Sequence, residues 1–160
     1  MIRAGDSLVN PVTGERLLFE LTSHDTDGEH TRFETIVELG REKVVLGEGA
    51  SVQIDAGTAH RFWNAGDDVL RFTAEVRPSL AFESLIETMF GLAADGKTNR
   101  ESMPNPLRLA VIARHHFDVA RLPVVPDALQ RAALVPGALL GRAVGYGPTH
   151  ETGDGLPSMA

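Results

Sequence analysis

The 160-residue chain has no cysteine, and that one absence removes a disulfide framework, a thiolate zinc site and a cysteine nucleophile together. Aromatic residues are scarce, with a single tryptophan, Trp63, and a single tyrosine, Tyr146. Runs of one charge and low-complexity tracts are missing too. Lys and Arg number 15 against 22 acidic residues, and the basic residues are scattered, so a phosphate-tracking surface is not expected and nucleic acid is set aside as a partner. Long apolar runs are also lacking. The longest low-charge stretch, residues 132–140, is too short to span a bilayer and is interrupted by Pro136-Gly137, so no membrane span is expected. Met1-Ile-Arg-Ala-Gly-Asp-Ser has no apolar segment behind its charge, and a cytoplasmic location is the expectation.

What is present reads as strands followed by helices. At 42% hydrophobic content, one domain with an appendage is the expected scale. Asn10-Pro-Val-Thr-Gly14 closes a leading segment as a turn. Residues 16–23 and 31–38 read as a hairpin around the polar cluster at 24–29, with Leu17, Phe19 and Leu21 sharing a face. Residues 43–46, 51–54, 60–64 and 69–76 supply four more short strands. After Pro78 the period changes. Phe82, Leu85, Ile86, Met89 and Phe90 form a helical stripe with Ser79 as the expected N-cap and Gly96 beyond the end. Asn105-Pro106 caps a second helix over 107–117. A third stretch, 126–144, is expected to bend or break at Pro136-Gly137. The organisation expected is a β domain over 1–78, a helical extension over 79–145 packing on it, and a flexible tail over 146–160.

The most informative stretch runs from Gly49 to Asn64. Its order is a short alternating segment, the turn Asp55-Ala-Gly-Thr58, and a strand that opens with His60 and places residues 60, 62 and 64 on one face. A placed imidazole can ligate a metal or move a proton. The spacing Gly49, Asp55, Gly57, His60, Asn64 resembles the second conserved motif of the cupin superfamily, with aspartate at position 55 where proline usually stands. Asp95-Gly-Lys-Thr-Asn99 and Asn105-Pro-Leu107 extend the likeness to a group of small bacterial single-domain cupins. The resemblance implies a mainly β fold, a cupin-like double-stranded β-helix, here followed by C-terminal α-helices. It also implies a barrel interior that commonly holds a divalent metal.

One part of the family pattern is missing. Cupins usually carry a first motif of two histidines one residue apart, then a glutamate, then a glycine, which supplies most of the metal ligands. Where it should lie, this chain reads Leu39-Gly40-Arg41-Glu42. About two strands of the usual barrel are absent on this reading, so the expected fold is a truncated barrel or sandwich whose exposed edges are covered by the helices or by a second copy, a homodimer. The expected role is that of a small-molecule-binding or assembly protein without a complete metal site, with His60, Phe62 and Asn64 as the ligand-pocket candidates. His60 is also the one metal-ligand candidate. The competing reading is a metal-dependent cupin enzyme, dioxygenase- or isomerase-like, which binds iron, zinc, manganese or nickel through His60 plus ligands from elsewhere or from a second subunit.

The other histidines suit a shared site less well. His24 and His30 flank a turn, and His115 and His116 lie about 100° apart around a helix, so neither pair converges on one ion. His115 and His116 are expected to favour the helix dipole as helix-end residues. Asp55 is expected to bond locally within its turn.

Overall fold

The computed structural model describes residues 2–37, 49–55, 70–120 and 125–150. Within them four strands, β1 (Ser7–Val9), β2 (Arg16–Leu21), β3 (Thr31–Val37) and β4 (Leu70–Val76), precede three helices, α1 (Phe82–Ala94), α2 (Pro106–His115) and α3 (Asp127–Ala143). The strands form one antiparallel sheet in the order β1-β2-β3-β4. Helix outweighs strand here. Among the described residues the helices hold 13, 10 and 17 residues against 3, 6, 7 and 7 in the strands, so this part of the chain is not clearly mainly β as expected from the sequence.

Alternation in β2 decides which face is covered. Leu17 and Phe19 are buried while Arg16, Leu18 and Glu20 are exposed, as the two-residue side-chain period requires. In β4, Phe72, Ala74 and Val76 are partly buried against exposed Arg71, Thr73 and Glu75. α1 lies over the buried face. Ile2, Leu8, Leu17, Phe19 and Phe90 form the core, with Ala74, Val76, Phe82, Ile86 and Met89 packed on it. Full burial of a side chain such as Leu17 or Phe19 stabilises by about 1.5–3 kcal/mol, so the helical stripe at 82–90 is what seals the sheet.

Several local expectations change. β1 lies inside the leading segment, ahead of the first strand expected at residues 16–23. Residues 51–55 are irregular, and all but Ile54 are exposed, because a four-residue alternation becomes a strand only when a neighbour satisfies its backbone. The expected strands at 43–46 and 60–64 lie outside the described residues. α1 has Ala81 at its N-cap with no side-chain cap bond. Ser79, expected in that role, is instead 1% exposed, with its amide donating to the Gly28 carbonyl and its carbonyl accepting from Phe82. The Asn105 cap holds as read, its side chain accepting from the Arg108 amide at 3.0 Å, with proline in the first turn.

α3 is a single helix through Pro136-Gly137, against the expected break. Pro136 is exposed, so the carbonyl that loses its helical partner has water within reach. The opposite side of α3 packs on α2, antiparallel to it. A Cβ built on Gly141 would stand 2.6 Å from the Leu107 carbonyl oxygen and 2.7 Å from Val111 Cγ2, and one on Gly137 would stand 3.0 Å from Ala110 Cβ. Glycine is what permits that approach.

The first five residues of the expected flexible tail make defined contacts. Tyr146 donates its amide to the Gly141 carbonyl and lies under the Arg108 guanidinium at 4.4 Å. His150 donates its amide to Thr88 Oγ1 at 3.2 Å and meets Asp95 Oδ2 at 2.7 Å through Nε2. Lys97 donates to the same carboxylate oxygen at 2.6 Å. These bonds hold the Asp95 carboxyl below its usual range, the Lys97 bond first and the His150 bond second.

Candidate functional site

The sheet register shows where the motif-bearing segment departs. β3 and β4 pair without interruption from Thr31↔Val76 to Val37↔Leu70. β3 thus ends at Val37, opposite Leu70, the residue at which β4 begins. His60, Phe62 and Asn64 fall between the two strands in sequence and lie outside the described residues, as does most of the segment that should have carried the first metal motif. Of the informative stretch, Gly49 to Asp55 is described; Gly49 takes φ +75°, a left-handed conformation that suits glycine.

The opposite end of the sheet is held by α1. Glu83, in the first helical turn, accepts from the Ser23 amide at 2.5 Å and from Thr31 Oγ1 at 2.6 Å through Oε1, and from Ser23 Oγ at 2.9 Å through Oε2. Thr31 is fully buried. One carboxylate thus satisfies three donors of the β2–β3 connection, and charge-assisted bonds of this kind are the stronger class. Inside the connection Thr22 donates both its amide and its hydroxyl to Asp25 Oδ2, at 2.9 and 2.6 Å, and lowers the Asp25 pKa. Nearby His24 is exposed, and His30 Nδ1 is buried with no hydrogen-bond partner, 4.0 Å from Glu29 Oε2. The two histidines belong to this connection.

The outer face of the β3–β4 pair carries an ion triad. Glu75 accepts from Arg32 Nη2 at 2.6 Å and from Arg77 Nε at 2.5 Å, and these bonds, Arg32 first, pull its pKa down to about 2. All three charges lie toward water, where such pairs contribute little.

His115 and His116 separate as the helical geometry requires. His115 is exposed; His116 is 2% exposed. The Ile112 carbonyl stands 3.1 Å from His116 Nδ1, and because a carbonyl only accepts, Nδ1 carries the proton. Nε2 is then the acceptor for the Ser84 hydroxyl at 3.3 Å. Burial pushes the His116 pKa down, only partly opposed by the Ile112 bond, so this ring sits neutral in the packing between α2 and α1. The expected helix-end cation is therefore corrected for His116. A serine donating to an imidazole is half of a nucleophile arrangement. Here the imidazole is closed off from substrate, and the pair joins two helices.

A shallow cleft of about 290 Å³ lies where the end of α2 meets α3, lined by Arg114, Phe117, Arg131, Ala132, Leu134 and Val135. Its Arg131 guanidinium stacks on Phe117 at 4.0 Å and donates to Asp118 at 2.9 Å. Among the described residues no group of three or more His, Asp or Glu side chains is placed to hold a metal ion. Within the segment 34–76 the sequence places one histidine, His60.

Residues 34–76 match the family model of the Cupin domain. The match supports membership of the cupin superfamily through that segment. The match begins in β3, ends with β4, and includes His60, Phe62 and Asn64 in the sequence between them. It covers the cupin part, and the helices follow it. No curated protein and no solved structure matches the chain. Among the described residues no helix is long and apolar enough to cross a membrane.

Sequence reasoning missed Glu83 and gave His116 the wrong setting. Glu83 stands in the first turn of a helix, where acidic residues are common for dipole reasons. Its partners are 60 and 52 residues away in sequence, and no local signal marks them. For His116, the adjacent apolar Phe117, also buried, was the available sign that this side of α2 turns inward.

Proposed function

We propose that the chain is a cytoplasmic cupin-like protein that does not form a complete metal site from one copy of itself, and that it acts as a small-molecule-binding or assembly protein. The observation that carries this reading is the content of the cupin segment: residues 34–76 include one histidine, His60, and no cysteine. A catalytic metal generally takes about three protein ligands and keeps one position open. With one imidazole in the segment, the remaining face, Phe62 and Asn64, suits an organic ligand with an apolar body and a polar group.

The second reading is favoured by the retained spacing of Gly49, Gly57, His60 and Asn64. On that reading the chain is a metal-dependent dioxygenase- or isomerase-like enzyme, and iron, zinc, manganese or nickel is held by His60 with ligands from elsewhere or from a second subunit.

Trp63 offers a direct test, because it is the one tryptophan and it lies inside the candidate pocket segment. The full chain is titrated with the small-molecule fraction of a cell lysate, stripped of divalent metal by a chelator. The binding reading predicts a saturable change in Trp63 emission that is lost in Phe62→Ala. Emission that responds only when a divalent metal is added back contradicts it in favour of the enzyme reading.

A further inference from the structure

We infer that the solvent side of α3 is a self-association surface, on which the α3 helix of a second copy of this chain docks antiparallel. The inference rests on the assembly side of the reading above and names the surface involved. α3 has two non-polar sides. One, with Gly137, Ala138 and Gly141, is packed against α2. The other is exposed: Leu129, Leu139, Leu140 and Val144 stand 60%, 63%, 60% and 59% open to solvent. At 100° per residue these four positions fall within an arc of roughly 140°. The remaining positions in that arc are alanines and Pro136, all exposed. No charged residue interrupts it.

The size and chemistry of this face select the occupant. The helix of 17 residues is about 25 Å long, and the exposed area of the arc is on the order of 700 Å², near the ~800 Å² per partner that a standard stable interface buries. Contiguous apolar area of that extent is uncommon on an unpartnered surface. The chain carries a net charge of −7, so two copies associate only across a face free of charge, and this face is free of it. An anionic membrane surface is the poorer match. Interfacial helices carry many lysines and arginines on their polar side, whereas α3 has Arg131 and Arg142 against Asp127, on a chain that is acidic overall.

The face is also complementary to itself. In an antiparallel pair related by a two-fold axis near Pro136, Leu129 of one copy lies opposite Val144 of the other, and Ala133 opposite Leu140. The first pair sets two large apolar residues together and the second a small residue against a large one, and the helix dipoles oppose each other.

The test is sedimentation equilibrium of the full chain, wild type beside Leu140→Asp and Leu129→Asp, with circular-dichroism melting on each. Both leucines are solvent-exposed within the single chain, so the substitutions leave the fold intact and lower the melting of the monomeric state only by the small cost of an aspartate in a helix, larger at 140, in the last turn, than at 129. The expected result is a wild-type mass of about twice 17.2 kDa at micromolar concentration and a dissociation constant raised at least about 100-fold in either variant. A wild-type dimer that both variants preserve overturns the surface while leaving an assembly role standing. A wild type that stays monomeric at about 100 μM overturns both. Flotation of a monomeric wild type with phosphatidylcholine–phosphatidylglycerol vesicles overturns the second copy in favour of a lipid surface.

Discussion

Val37 and Leu70 are register partners on adjacent antiparallel strands, although the chain between them runs from residue 38 to residue 69. The sheet that these strands belong to is sealed on its buried face by α1. Disturbing the contacts between α1 and the sheet should therefore cost stability.

Glu83 gives the clearest case. Glu83→Ala leaves the buried Thr31 hydroxyl and the Ser23 amide without their acceptor, and an unsatisfied buried donor costs about 1–3 kcal/mol, more when the lost partner is charged. Urea unfolding should show a loss of roughly 2–3 kcal/mol for Glu83→Ala and a smaller loss for Glu83→Gln. An alanine variant as stable as wild type would show that these bonds contribute nothing net.

The α2–α3 contact makes a graded prediction. Gly141→Ala gains about 1 kcal/mol of helix propensity but places a methyl 2.6 Å from a backbone carbonyl oxygen, which cannot move without separating the helices. Overpacking of this kind costs about 1–3 kcal/mol, so the net change in thermal unfolding should be destabilising. At Gly137 the nearest atom is the Ala110 methyl at 3.0 Å, a softer contact, and Gly137→Ala should be the milder change. The reverse order would contradict the antiparallel packing described.

His116 sets a pH dependence whose sign follows from burial. Its folded pKa lies below the ordinary value of 6.5, so below about 6.5 the unfolded chain binds more protons than the folded one and stability falls as pH falls. Above that range the group adds no slope. His116→Gln should flatten the stability–pH curve between the lowered folded value and 6.5, measured as unfolding free energy against pH beside wild type. An unchanged slope would place the ring in a more solvated setting than the one found.

Asn10 joins the first turn to the α1–α2 connection. Its Oδ1 accepts from the Val12 amide at 3.0 Å, and its Nδ2 donates to Ser102 Oγ at 2.7 Å in a buried bond. Asn10→Ala should cost about 1–3 kcal/mol in chemical unfolding, and Asn10→Asp, which keeps the turn acceptor but loses the Nδ2 donor, should recover part of it. Equal losses for both would assign the whole effect to the bond with Ser102.

How much of this could be read from the sequence depended on whether the deciding partner was local. β2, β3, β4, the α1 stripe and the Asn105-Pro106 cap are set by alternation, helical period or neighbours within a few residues, and all were legible. β1 is three residues long and exists because Leu17 and Leu18 lie opposite it; the sequence around it shows only turn chemistry. Residues 51–54 alternate like a strand and yet are irregular, since alternation describes a side-chain pattern and supplies no hydrogen-bond partner. The break expected in α3 did not allow for Pro136 facing water while Gly137 and Gly141 face α2. At the site, the motif that names the family was legible because it is a spacing. His60, Phe62 and Asn64 lie outside the described residues, and Glu83, which braces the sheet, takes its partners from a distant hairpin.

The central claim is that one copy of the cupin segment, with His60 as its one histidine, does not hold a metal. Its most direct test is elemental analysis by mass spectrometry of untagged protein, wild type beside His60→Ala, incubated separately with iron, zinc, manganese or nickel and then dialysed against metal-free buffer. The account predicts far less than one metal per chain in both proteins for every metal. Near-stoichiometric metal in the wild type that is lost in His60→Ala would contradict it and establish a metal centre completed by other residues or by a second chain.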